Sequence, residues 1–330
     1  MKKTIKIIAI FSLSLFLALV QVLSMLLLFS LAKVDANTSG YDWNEDTTFS
    51  INEHTKTVKF SDEIDILFLT DLHYFGYFDE ITSKNVRAIV TKSQPDFIVL
   101  DGDNTFTTFN RRALNNLIKV MDSFALPWTL VFGNHDDFGR YTKNYMVRQL
   151  MNSTYGVFTY GPNGFKGAGN QIINLESGGN IIHSLILLDT VRNGRVSPPI
   201  TNKQIAWYEW AIAGLEATDP LIFHTSLVTH VALPEMVTAI KEGVTLDGRP
   251  GEKVSLMPNN GLYDKIIDLD STKFLFHGHD HYNNNITLYN GIYFTYVMQA
   301  GALTYGYSTK GGTLFKMNAE GQTSLELVII

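Results

Sequence analysis

The stretch Ile64-Asp-Ile-Leu-Phe-Leu-Thr70-Asp71-Leu-His73 decides the reading of this chain. Its apolar run predicts a strand buried on both faces, and the run stops on a carboxylate and an imidazole. The arrangement recurs. Gly102-Asp103 follows the run Phe97–Leu100, and Gly133-Asn134-His135-Asp136 follows Trp128–Phe132. His230 follows Leu221–Thr229, while His277, Gly278 and His279 follow Lys273–Phe276. Taken singly, each motif has an ordinary explanation, because Gly, Asp and Asn are turn residues and a strand-end Asp can cap a helix. Together they offer carboxylate, imidazole and amide donors, the set shared by borderline and hard divalent metals. Asp71, His73, Asp103, Asn134, His230, His277 and His279, with His135 to spare, suffice for two adjacent ions, a device for attacking phosphate esters.

Between the first three motifs, Ile81–Gln94 has helical spacing and stops before Pro95, and Arg111–Phe124 forms a second helix. The resulting β-α-β-α-β order predicts a parallel sheet with right-handed crossovers. Asp71, Asp103 and Asn134 then lie at strand C-termini, where open α/β sheets bind ligands. After Gly161 glycines punctuate short strands, with Ile181–Leu188 another buried run. Asn202–Leu215 predicts a helix whose Trp207 and Trp210 pack on a sheet, and the tail from Asn285 to Ile330 predicts antiparallel strands forming a second sheet.

Lys2, Lys3 and Lys6 precede an apolar run from Ile7 to Ala32, long enough to cross a bilayer. The lysine asymmetry leaves the N-terminus in the cytoplasm and the body outside. Residues 1–36 are thus expected to be a membrane anchor, or a signal peptide cut near Val34-Asp35-Ala36, with its length favouring the anchor. Residues 37–57 read as a linker or early hairpin, and 58–330 as the catalytic body. Without residues 1–36, which hold four lysines and one aspartate, 22 basic and 31 acidic residues remain, a net charge of −9. No basic stripe is visible, which argues against nucleic acid as the partner. The chain has 0 cysteines, excluding disulfides, thiolate metal sites and a cysteine nucleophile.

The ordered motifs resemble those of the calcineurin-like metallophosphoesterase superfamily from Ile64 to Tyr282. Pro127-Trp128, Gly169-Asn170, Leu188-Asp189, Gln204 before Trp207, and His230-Val-Ala-Leu-Pro234-Glu235 look closer to its purple-acid-phosphatase-like branch. The resemblance implies a four-layer α/β/β/α sandwich with two metals at the sheet edge. It implies that Asp71, His73 and His279 hold one ion, that Asn134, His230 and His277 hold the other, and that Asp103 bridges them. His135 would contact a phosphoryl oxygen or protonate the leaving group. One departure matters: the position of the tyrosine in iron-tyrosinate enzymes is Phe106 here, so an ordinary Mn, Fe or Zn site is expected instead. Asp101, His54, His183 and His224 are expected to stay off the metals. His281 is a candidate substrate contact, and Asp136 is expected to orient His135 or cap a helix. The expected function is hydrolysis of a small phosphate mono- or diester. The alternatives are a nucleotide or cyclic-nucleotide phosphodiesterase or nuclease, and a catalytically idle scaffold.

Overall fold

The computed structural model describes Leu19 and residues 33–36, 39–190, 200–219, 224–255 and 258–330. The expected anchor or signal segment, residues 1–36, lies outside the described residues apart from Leu19 and residues 33–36. Among the described residues no helix is long and apolar enough to cross a membrane. The stretch 37–57 carries α1 (Ile51–His54), and β1 (Thr55–Phe60) begins three residues before position 58.

The predicted β-α-β-α-β unit is present. β2 (Glu63–Leu69), α2 (Glu80–Ser93), β3 (Phe97–Asp101), α3 (Asn110–Asp122) and β4 (Trp128–Val131) follow in order. The three strands are parallel, in the register Ile66↔Phe97 and Ile98↔Trp128. α4 (Lys143–Leu150), β5 (Gln171–Ser177), β6 (Asn180–Leu187), α5 (Asn202–Thr218), β7 (His224–Val228) and α6 (Met236–Glu242) follow. Then come β8 (Val244–Asp247), α7 (Leu262–Leu269), β9 (Thr272–His277), β10 (Ile286–Tyr289), β11 (Ile292–Tyr296), β12 (Gly311–Asn318) and β13 (Thr323–Ile329).

Two mixed sheets result, a five-stranded one in the order β13-β12-β2-β3-β4 and an eight-stranded one in the order β1-β5-β6-β7-β9-β11-β10-β8. The tail therefore does not build a sheet of its own. β12 pairs antiparallel with β2, whereas β11 pairs parallel with β9 in the other sheet. Strand partners are chosen by long-range burial, which local alternation cannot reveal.

Strand alternation sorts the apolar residues into three clusters and four layers. Ile64, Ile66 and Phe68 of β2 face the other sheet, where the Phe68 ring stacks on Phe276 at 3.8 Å. Leu67 and Leu69 face α2 and α3. Trp207 of α5 is buried on the outer face of the large sheet, as its position in the helix predicted. Trp210 is partly buried among Tyr41, Trp43 and Phe49, which holds the chain before β1 against that helix.

A buried polar seam joins α4 to β6 and α5. Lys143 Nζ donates to Asp189 Oδ1 at 2.6 Å, and Asp189 Oδ2 accepts from Ala168 N. Gln204 Nε2 donates to Asn170 Oδ1 and to the Asp189 carbonyl. Three of the sequence features noted above thus meet in one network. Asp189→Ala should strand a buried ammonium and destabilise the fold by about 3–5 kcal/mol, read by urea unfolding. Replacing both partners, Lys143→Met with Asp189→Leu, should recover most of that loss.

Candidate metal centre

The donors are placed by one local rule. Asp71, Asp103, His230 and His279 each stand at the second residue past a strand end, those of β2, β3, β7 and β9, and Asn134 stands at the third past β4. The ladder continues briefly beyond the strands: Asp71 N donates to the Gly102 carbonyl, and Gly278 N to that of His230. The chain then turns sharply. Asp71, His73, Asp103 and His279 all adopt left-handed backbone, with φ of 53°, 48°, 47° and 72°. Each such non-glycine residue costs roughly 1–2 kcal/mol, so the surrounding packing must impose it. Gly133 marks how tight that packing is, because a Cβ there would sit 2.2 Å from Asp103 Oδ1 and 2.7 Å from the His230 ring.

Each acid has one oxygen fixed by the protein and one left for the cleft. Asp71 Oδ2 accepts from Thr70 Oγ1 and His279 N, both at 3.0 Å. Asp71 Oδ1 lies 3.0 Å from His281 Nε2 and 3.7 Å from His73 Nε2 and from His230 Nε2. Asp103 Oδ1 accepts from His135 N at 2.7 Å. Asp103 Oδ2 lies 3.6 Å from His73 Nε2 and 3.2 Å from His230 Nε2, between the two groups. The imidazoles are oriented by their other nitrogen: His230 Nδ1 faces the Asp101 carbonyl at 2.7 Å and His281 Nδ1 that of Tyr305 at 3.1 Å. Such contacts aim Nε2 at the common space.

Among the described residues, two groups of donors are close enough to hold an ion, Asp71–His73–His281 and Asp103–His230–His279. His73 Nε2, Asp103 Oδ2, Asn134 Oδ1 and His230 Nε2 are buried with no hydrogen-bond partner. Buried polar atoms are rarely left so, and those of His73 and His230 converge within 3.6 Å of Asp103 Oδ2. The donor set therefore fits divalent metal.

His277 stands apart from both groups. It ends β9 itself, with its Nδ1 2.8 Å from the Thr229 carbonyl and its ring toward Tyr296. His281 takes a place in the first group instead, and His279 falls in the second rather than the first. The physical reason is that the strand runs on through His277, so the exposed turn begins only at Gly278. Spacing alone could not find this, since His277-Gly-His279 and His279-Asp-His281 share the same one-residue gap.

Asp101 is buried off the groups and offers them only its carbonyl, while His54, His183 and His224 bond or pack elsewhere. Asp136 neither caps a helix nor contacts the His135 ring in the bonds it makes. Its oxygens accept from Gly133 N, Thr105 N and Asn104 Nδ2, tying the loops after β3 and β4 together. Thr142 caps α4. His135 packs against Phe106 at 4.5 Å, and its Nε2 lies 3.8 Å from Asp103 Oδ2.

Burial alone would raise Asp71 and Asp103, but neighbouring imidazoles outweigh it and hold both well below the ordinary carboxylate range. Burial lowers His73 and His230, yet the same acids push them up to about 9 and about 10. Burial lowers His277 to about 4.

The calcineurin-like phosphoesterase family matches residues 64–283. The chain belongs to that family. It is 24% identical over 292 residues to probable inactive purple acid phosphatase 14 of Arabidopsis thaliana, covering 73% of this chain and 71% of that one. Its fold is similar to GAP50, the anchor in the inner membrane complex of Plasmodium, with TM-score 0.53, 14% identity and coverage of 81% and 84%. It is also similar to a dimetal phosphatase from Danio rerio, with TM-score 0.51, 11% identity and coverage of 80% and 98%.

The imidazolium–carboxylate pairs stabilise the metal-free protein fully below the ordinary histidine pKa, about 6.5. That contribution is lost as pH rises through about 9 to 10. The melting temperature of chelator-treated protein should therefore fall between pH 7 and pH 10, and should fall less in the His73→Gln, His230→Gln variant.

Proposed function

We propose that this protein hydrolyses phosphate mono- or diesters with two divalent ions. The observation that carries the reading is the pair of adjacent donor groups meeting at Asp103 Oδ2. Asp71, His73 and His281 would hold one ion and Asn134, His230 and His279 the other, with Asp103 shared. When bound, such a pair lowers the pKa of a shared water and polarises the phosphoryl group. His135, a quarter exposed beside Asp103, donates a proton to the leaving oxygen. Phe106, packed on both His73 and His135, limits the positions those rings can take.

The competing reading is a scaffold that keeps the fold without turnover, and the word "inactive" in the Arabidopsis relative's name gives it weight. The retention of each donor and of His135 favours the enzyme. We further place the body outside the cytoplasm, held by the apolar run 7–32, because three lysines precede that run.

Metal analysis with a mixed screen of monoesters and diesters tests the reading; a protein that binds no metal and cleaves neither is the scaffold. Asp103→Asn should lose metal and activity together. His281→Ala should lose one ion of two, whereas His277→Ala should keep both; the reverse result returns His277 to the centre. His135→Ala should retain both ions and lose about a hundredfold or more in rate. That loss should shrink for nitrophenyl esters, whose leaving group needs little protonation.

A further inference from the structure

We propose that the ester is carried by a lipid, and that the cleft face docks on an anionic bilayer to reach it; this rests on the phosphoesterase reading above. The apolar run ends at Ala32, and the residues just past it are bonded to the cleft. Lys33 Nζ donates to the Asp137 carbonyl at 2.7 Å, two residues after His135. Val34 N donates to the Arg140 carbonyl and Thr142 N to that of Val34, while Thr142 Oγ1 donates to Asp35 Oδ1. Lys33, the first residue past the run, therefore sits on the loop that carries His135, not at the far end of the body.

The rim itself is built for such a surface. β2, β3 and β4 are parallel, so the loops after them share one edge with the donors. On these loops and the helix start beside them, Phe78 is 83% exposed, and Tyr77, Phe109 and Ile81 are exposed with it. Phe78 also has a φ of 64°, so a strained backbone presents a phenyl ring to solvent. Tyr77 and Phe109 pack at 5.4 Å, with the Arg112 guanidinium 3.9 Å from the Tyr77 ring. Amphipathic aromatics beside arginine suit the bilayer interface.

Between α2 and α3 a groove of about 560 Å³ carries Lys84, Arg87, Arg112 and Lys119. Of its acids, Asp79 is spent on Phe75 N, Gly76 N and Asn116 Nδ2, leaving Glu80 exposed. A cationic groove on a body of net charge −9 runs against the whole-protein field and suits anionic headgroups, which attract each Lys or Arg by about 1 kcal/mol. A water-soluble ester would need neither the exposed aromatics nor the anchor beside the cleft.

The absence of cysteine allows single labelling sites in the full chain. Glu320, in the turn between β12 and β13, lies at the opposite edge, since Asn318 pairs with the first residue of β2. The full chain carrying Phe78→Cys or Glu320→Cys is labelled with a fluorophore and reconstituted in phosphatidylcholine vesicles containing phosphatidate and doxyl-labelled lipid. Quenching at position 78 but not at 320 is expected. No quenching at 78, as for a face covered by a protein partner, or equal quenching at both, overturns the docking. In the same vesicles phosphatidate should be cleaved faster than glycerol 3-phosphate, and Phe78→Ser should lower that ratio about tenfold. Cleavage of the soluble ester alone overturns the lipid substrate and leaves the phosphoesterase reading standing. Cleavage of neither, with position 78 quenched, overturns the phosphomonoester lipid as substrate, and the phosphoesterase reading falls with it if the diesters of the screen above are left uncleaved too.

Discussion

Asp71 and Asp103 place two carboxylates, each about 1% exposed, around one small space. Removing two like charges from water costs several kcal/mol each unless positive charge meets them. Everything near them answers that need. Three imidazoles lie within 3.7 Å of Asp71 Oδ1, and His73, His230 and His135 surround Asp103 Oδ2. Protons on His73 and His230 supply charge in the metal-free protein; divalent ions would supply more, and would also meet the unpartnered nitrogens of those two rings.

The fold serves that electrostatic demand. Parallel strands bring their C-termini to one edge, and the close-packed sheets fix those ends relative to each other. The left-handed turns at Asp71, His73, Asp103 and His279 are strained, and the main-chain bonds from Asp71 N and His73 N to the next loop hold two of them in place. The Lys143–Asp189 seam then secures α4 against the large sheet, directly downstream of the His135 loop.

Much of this was legible locally. Continuous apolar runs marked β2, β3, β4 and β9, and the change of character at each end marked Asp71, Asp103, Asn134 and His230. What could not be read was what depends on distant partners. β12 lies beside β2 because an antiparallel edge buries Phe315 against Phe274 and Phe276, a choice made by residues far apart in sequence. Asp136 binds four backbone and side-chain donors on two loops, a role visible only once β3 and β4 are adjacent. In the His277–His281 run a single strand boundary decides which rings turn toward the acids. Placing the turn at Gly278 makes His279 and His281 the residues that face Asp103 and Asp71.

The proposed centre has two ions at these strand ends with Asp103 between them. An anomalous-difference map from crystals grown with Mn²⁺ tests it most directly. Two peaks about 3.5–4 Å apart are expected, one beside Asp71, His73 and His281 and the other beside Asn134, His230 and His279, both within reach of Asp103. A single peak, or a peak coordinated by His277, would contradict it.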